Sequence, residues 1–239
     1  MRMLVLLFFL PTTVLAQTES REMGGHLGSR PALMILHGSK NAEGAWQLAG
    51  EYIVLPTLQR RFLEGESSPE IGVTTLREGT TAIVFGRATT GELRGTLRDG
   101  TFKGARYAPG GQERERFEFS EEFPAMESYS ASVKCEASGG PYSSSLNMRV
   151  DGGKLQSIEW RSKLASTEHV CNVSGLQQQP MKGGLRFASG KCSVTLREIG
   201  DYVRIMADNC AEQCGSQAYL EPLFIDRRGN CQLLRGETR

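Results

Sequence analysis

From Pro31 to about Phe123 the apolar positions fall in short runs with turn residues between them. Ala32-Leu33-Met34-Ile35-Leu36-His37 is one run; Trp46, Leu48 and Tyr52-Ile53-Val54-Leu55 form another. Phe62-Leu63, Ile71-Gly72-Val73, Ala82-Ile83-Val84-Phe85, Glu92 to Leu97, Phe102 to Tyr107 and Arg114 to Phe119 follow. Runs this short, broken every ~8–12 residues, predict an antiparallel β-meander. No window sustains a helical apolar stripe, Leu58 to Leu63 being the nearest. An apolar-x-Gly step recurs at Leu48-Ala49-Gly50, Leu63-Glu64-Gly65, Leu93-Arg94-Gly95 and Phe102-Lys103-Gly104. Glycine inside a strand marks a bend or a close backbone approach, as a curling barrel needs. The alternative is that these glycines sit in hairpin turns.

Ser120 to Ser128, with three Glu and a Pro, reads as a link. Beyond it the pattern is again β-like. Leu146, Met148 and Val150 alternate, Asp151-Gly152-Gly153 turns, and Leu155 to Trp160 returns. Ser193 to Glu198 and Tyr202 to Ala207 form a second hairpin around Gly200-Asp201. The expected class is therefore all-β: two antiparallel barrel-like or sandwich-like domains, 31–123 and 124–239, with 17–30 a loose polar leader.

All six cysteines, Cys135, Cys171, Cys192, Cys210, Cys214 and Cys231, lie in the second domain. An even number in an exported chain argues for disulfides. If Ile199 faces Tyr202, the hairpin register brings Cys192 near Cys210. A Cys171–Cys192 bridge is also geometrically reasonable, and the connectivity stays open. The export reading comes from residues 1–16: Arg2, the apolar run Leu4 to Leu10, Pro11, and the small-residue end Val14-Leu15-Ala16, with cleavage expected before Gln17. The run is too short to span a bilayer, which takes ~20 residues, and no membrane span is expected in the mature chain. The destination is periplasmic or secreted.

Composition narrows the partners. Lys and Arg total 28 against 27 Asp and Glu, and the loss of Arg2 leaves the mature chain balanced. A balanced chain lacks the positive excess that nucleic acid or an anionic membrane selects. The three histidines, His26, His37 and His169, lie far apart in sequence. Leu36-His37-Gly38-Ser39 resembles the His-Gly loop of esterases, but no Gly-x-Ser-x-Gly elbow accompanies it. Cys210 and Cys214 are not spaced as Cys-x-x-Cys, and no phosphate loop or dinucleotide fingerprint occurs. The reading is a non-enzymatic chain with no cofactor and no metal. Gln112 to Arg116 reads as a solvated charged face, Arg60-Arg61 and Arg227-Arg228 as surface pairs, and Trp46 and Trp160 as core anchors.

Residues 31–119 resemble a β-meander domain of exported bacterial proteins. The likeness rests on Ala49-Gly50-Glu51-Tyr52, Phe62-Leu63-Glu64-Gly65 and Gly91-Glu92-Leu93-Arg94-Gly95-Thr96. Cys210 to Ala218 resembles the Cys-x-x-x-Cys-Gly-x-x-Ala signature of some bacterial envelope proteins, including ones grouped with lysozyme inhibitors. Gly104-Ala105-Arg106-Tyr107 is similar to the Ser-Gly-x-x-Tyr loop of the membrane-bound C-type lysozyme inhibitors, with Lys103 in place of the Ser. These resemblances imply an envelope binding protein whose partner is a muramidase, with Lys103, Arg106 and Tyr107 as the contact residues. The alternative is a carrier of a small apolar ligand, held among Trp46, Tyr52 and Phe85 inside the first domain.

Overall fold

A computed structural model describes residues 18–41, 43–68, 72–81, 89–139, 141–165, 170–215 and 220–234. The signal-peptide reading of residues 1–16, the run at 82–85 with Phe85, and His169 lie outside these residues. The fold is all-β. β1 (Thr18–Leu27), β2 (Arg30–Lys40), β3 (Trp46–Val54), β4 (Gln59–Ser67), β5 (Thr74–Gly79), β6 (Gly91–Arg98), β7 (Thr101–Tyr107) and β8 (Glu113–Ser120) form an antiparallel barrel in sequence order. Pairs from Gly24↔Ser120 to Leu27↔Phe117 join β1 to β8 and close it.

The expected leader is therefore corrected. Residues 18–27 are a full strand, paired along β2 from Thr18↔Ser39 to Leu27↔Arg30, and the barrel runs from residue 18 to 120. Met23 and Leu27 point into the barrel core. Gly25 lies between them because a Cβ there would sit 2.0 Å from the Glu118 carbonyl oxygen on β8.

Gly50, Gly65, Gly95 and Gly104 also stand inside strands, not in turns. A Cβ on them would lie 2.0, 1.9, 2.3 and 2.0 Å from the carbonyl oxygens of Ile35, Thr75, Lys103 and Arg94. The strands thus approach more closely than any side chain allows, and this tightness curls eight strands into a barrel.

The second domain is a sandwich. β9 (Ala131–Gly139), β10 (Tyr142–Asp151), β11 (Lys154–Leu164) and β12 (Val170–Ser174) form one sheet in the order β12-β11-β10-β9. The other holds β13 (Gln177–Gln179), β14 (Leu185–Ser189), β15 (Cys192–Ile199), β16 (Tyr202–Asp208), β17 (Leu223–Asp226) and β18 (Cys231–Leu233), in sequence order. A single helical turn, α1 (Ala211–Cys214), lies between β16 and β17. Val133, Met148, Trp160 and Val173 meet Phe187, Leu196, Ile205 and Leu223 in the core between the sheets. The Trp160 indole donates to the Ser144 hydroxyl at 2.7 Å, which settles its one polar atom in the interior.

Three disulfides clamp this half. Ile199 faces Tyr202 across the hairpin, and Cys192 bonds Cys210. Cys171 bonds Cys214 instead of Cys192. It sits on the edge strand of the other sheet, where α1 delivers Cys214 to it. Cys135 on β9 bonds Cys231 on β18 and ties one sheet to the other. These bridges, with no helix among the described residues long and apolar enough to cross a membrane, are compatible with an extracytoplasmic location.

The link is not a free tether. Phe123 and Met126 are buried, and the barrel and sandwich share a third core. Leu33, Ile53 and Leu55 on the outside of the barrel pack there against Ile199, Phe224 and Leu234. Beside it Glu22 of β1 receives Arg204 at 2.5 Å and Arg197 at 3.1 Å. Arg197 also lies 4.4 Å above the Phe123 ring.

Candidate functional site

The joint positions the β15–β16 turn, Ile199 to Tyr202. Gly200 adopts φ +59°, and a Cβ there would lie 2.8 Å from the Pro31 side chain on β2. The turn is thus seated on the barrel by close contact, and a groove opens on each side of it. One, of about 450 Å³, runs between the turn and the barrel; His26, Ser29, Pro31 and Phe123 form its barrel wall. The other, of about 490 Å³, opens at the end of the sandwich and shares Glu198, Gly200 and Asp201 with the first.

This second groove has an apolar floor and a charged rim. Val133, Val203 and Ile225, members of the sandwich core, form the floor. Tyr129 stands half-buried beside Glu198; burial first, and then the Glu198 charge, push its phenol above the ordinary range. Arg227 is committed to Asp201 at 2.6 Å. Asp226 accepts the Arg228 and Asn230 backbone N–H groups at 2.8 and 2.9 Å and so fixes the β17–β18 turn. Among the described residues, neither the Glu198 carboxylate nor the Arg228 guanidinium forms an ion pair or side-chain hydrogen bond. The groove thus pairs an apolar floor with one carboxylate, Glu198, that has no cation bonded to it among the described residues, and with Arg228, whose charge acts on Asp226.

The residues expected from the sequence lie elsewhere. Lys103, Arg106 and Tyr107 belong to strand β7, not to a loop. Alternation puts Lys103 and Tyr107 outside the barrel and Arg106 inside. Lys103 pairs with Glu118 at 3.0 Å, and Tyr107 lies under the Arg94 guanidinium at 4.9 Å. Arg106 grips Glu78 with two bonds, Nε to Oε2 at 2.7 Å and Nη2 to Oε1 at 2.8 Å. Tyr52 and Thr90 donate to the same carboxylate at 2.5 and 2.8 Å, and Arg61 stands 3.7 Å away. Glu78 is fully buried; burial acts to raise its pKa, but the bonds from Arg106, Tyr52 and Thr90 prevail and hold it below the usual carboxylate range. Glu115 extends the network, 3.5 Å from Arg106 and 2.9 Å from Arg30. Seven side chains, three of them arginines and two glutamates, thus plug one end of the barrel with an ion-pair network.

Among the described residues, large apolar side chains occupy the rest of the barrel interior. Met23, Met34, Leu36, Phe102, Phe117 and Phe119 are all buried, and the Phe102 and Phe117 rings pack at a tilt of 55° with centroids 4.7 Å apart. Tyr52 is committed to Glu78. Beside Trp46 at the opposite end only about 60 Å³ is open. Trp160, by contrast, is the core anchor expected of it.

Sequence reasoning did not find Tyr129, Glu198 and Arg228 as a group. The hairpin that carries Glu198 was legible, but which segments flank it depends on the joint. No protein-family model, curated protein or solved structure matches the chain.

Proposed function

We propose that this is an exported, non-enzymatic binding protein of the cell envelope, periplasmic or secreted, whose grooves at the joint engage another macromolecule. The observation that carries the reading is the contrast between the side chains packed inside the barrel, among the described residues, and the open joint. A ligand carried inside the barrel would need the volume that Met34, Tyr52, Phe102 and Phe117 occupy. The joint, in contrast, offers two adjoining concave surfaces around a turn held on the barrel by Pro31. Concave, partly apolar surfaces with a few uncommitted polar groups are where binding sites concentrate.

A muramidase is the partner that the resemblances of Gly104–Tyr107 and Cys210–Ala218 suggest. If so, contact comes from the joint and not from Arg106, which serves the barrel. The test is a turbidity assay of lysozyme-driven lysis with purified protein added, across several lysozyme classes. Slowed lysis that Lys103→Ala leaves unchanged supports the reading. Lysis unchanged in every class removes a muramidase as partner.

A further inference from the structure

The 490 Å³ groove has a feature beyond its size: Ala131, Ser132 and Val133, the first three residues of β9, all line it, with Ser130 just before them. Side chains alternate along a strand, so a groove over one face of β9 would touch every second residue. Contact with consecutive residues means that the groove runs along the strand's edge. β9 is the outer strand of its sheet and pairs with β10 alone among the described residues. β9 also packs against β18 of the other sheet, to which Cys135 is bonded through Cys231, and Ala131 to Val133 at its start line the groove. Backbone donors and acceptors on the outer edge of 131–133 therefore face the groove.

From this we infer that β9 accepts an extended peptide segment of a partner protein as an added strand, with an apolar side chain on the floor and a basic residue beside it. The inference rests on the binding-protein reading and names the partner chemistry for the same site. An added strand satisfies the free backbone edge, and pockets for alternate side chains supply specificity. Val133, Val203 and Ile225 make a floor for an aliphatic side chain. Glu198 stands on the opposite wall with no cation of its own, which selects Lys or Arg on the incoming strand. Arg228 at the mouth offers its donors to carbonyl oxygens of the same segment.

The test uses the mature chain with methyl-labelled Val, Leu and Ile and three probes. These are the blocked peptides Ac-Ala-Leu-Lys-Ala-NH2 and Ac-Ala-Leu-Glu-Ala-NH2, and chitotetraose as a glycan. The expected result is that the Lys peptide shifts the Val133, Val203 and Ile225 methyl resonances. The Glu peptide should bind at least fivefold more weakly, and Glu198→Gln should abolish that preference. Glu198 is partly exposed and unpaired, so this variant keeps the fold. The inference is overturned if both peptides leave these methyls unmoved, if chitotetraose alone moves them, or if Glu198→Gln keeps the Lys preference. A partner crosslinked at the joint while peptides leave the methyls unmoved would retain the binding-protein reading and sink only the peptide inference.

Discussion

Replacing Arg106 with Met is the sharpest perturbation of the barrel. The side chain keeps its length and loses two of the four hydrogen bonds that hold the Glu78 carboxylate. Removing one partner of a buried ion pair costs about 3–5 kcal/mol, because the remaining charge stays in the interior without compensation. Tyr52 and Thr90 still donate, so the low end, about 3 kcal/mol, is expected. A urea titration read by pulsed hydrogen exchange and mass spectrometry separates barrel peptides from sandwich peptides in the full chain. At a slope of about 1.5 kcal/mol per molar urea, the barrel midpoint should fall by roughly 2 M while the sandwich midpoint moves little.

The pH dependence provides a second check. In the wild type the folded pKa of Glu78 lies below the ordinary value, so its contribution is present above the unfolded pKa and is lost as pH falls through the folded one. Without Arg106, burial is opposed only by Tyr52, Thr90 and the Arg61 charge, so the folded pKa rises and protonation costs the variant less than the wild type. The deficit of Arg106→Met should therefore be largest near neutral pH and shrink towards pH 5. A deficit below about 1 kcal/mol, or one equal at both pH values, would refute the view of Glu78 as a charge held by its donors.

Three further outcomes follow from the same structure. Burial lifts the Glu221 carboxyl to about 7, against an opposing pull from Arg60, so the folded protein keeps a proton that the unfolded chain gives up. Stability from this group falls as pH rises between the unfolded pKa and about 7, and Glu221→Gln should stabilise by up to ~3 kcal/mol at pH 8 but hardly at pH 4, read as Tm differences. Gly65→Ala would place a Cβ 1.9 Å from the Thr75 carbonyl oxygen, and β4 must part from β5; loss of amide protection in both strands is the expected outcome. Joint replacement of Cys135 and Cys231 by Ala opens a link across 96 residues of chain, which the chain-entropy account values at about 4–5 kcal/mol; thermal unfolding of oxidised protein measures it.

Local pattern made the first domain readable and hid its beginning. The apolar-x-Gly steps at Gly50, Gly65, Gly95 and Gly104 announced curled strands because each glycine sits beside an inward apolar residue. Gly25 does the same between Met23 and Leu27, yet it lies among Glu, Arg and His residues whose outward side chains suggest looseness. The unbroken run Ala32 to Leu36 also encodes the joint. A strand apolar on both faces is buried on both, and Leu33 and Ile35 face the joint while Ala32, Met34 and Leu36 face the barrel.

The hairpin register placed Cys192 near Cys210 because both flank one turn. Cys171 finds Cys214 only after two sheets have stacked, which no local spacing encodes. Arg106 shows the same limit. Its strand was legible, but whether a strand residue faces the barrel or solvent is fixed by register with β6 and β8. Tyr129, Glu198 and Arg228 come together where three distant segments converge, so the group had no signal in any one of them.

Photocrosslinking from within the groove tests the central claim most directly. The photoreactive residue p-benzoylphenylalanine is placed at Ser132 beside the groove, and separately at Lys103 on the outer wall of the barrel, in cells that export the protein. The account predicts a discrete protein adduct from Ser132, lost on competition with unlabelled wild-type chain, and none from Lys103. An adduct from Lys103 alone, or none from Ser132, would contradict it.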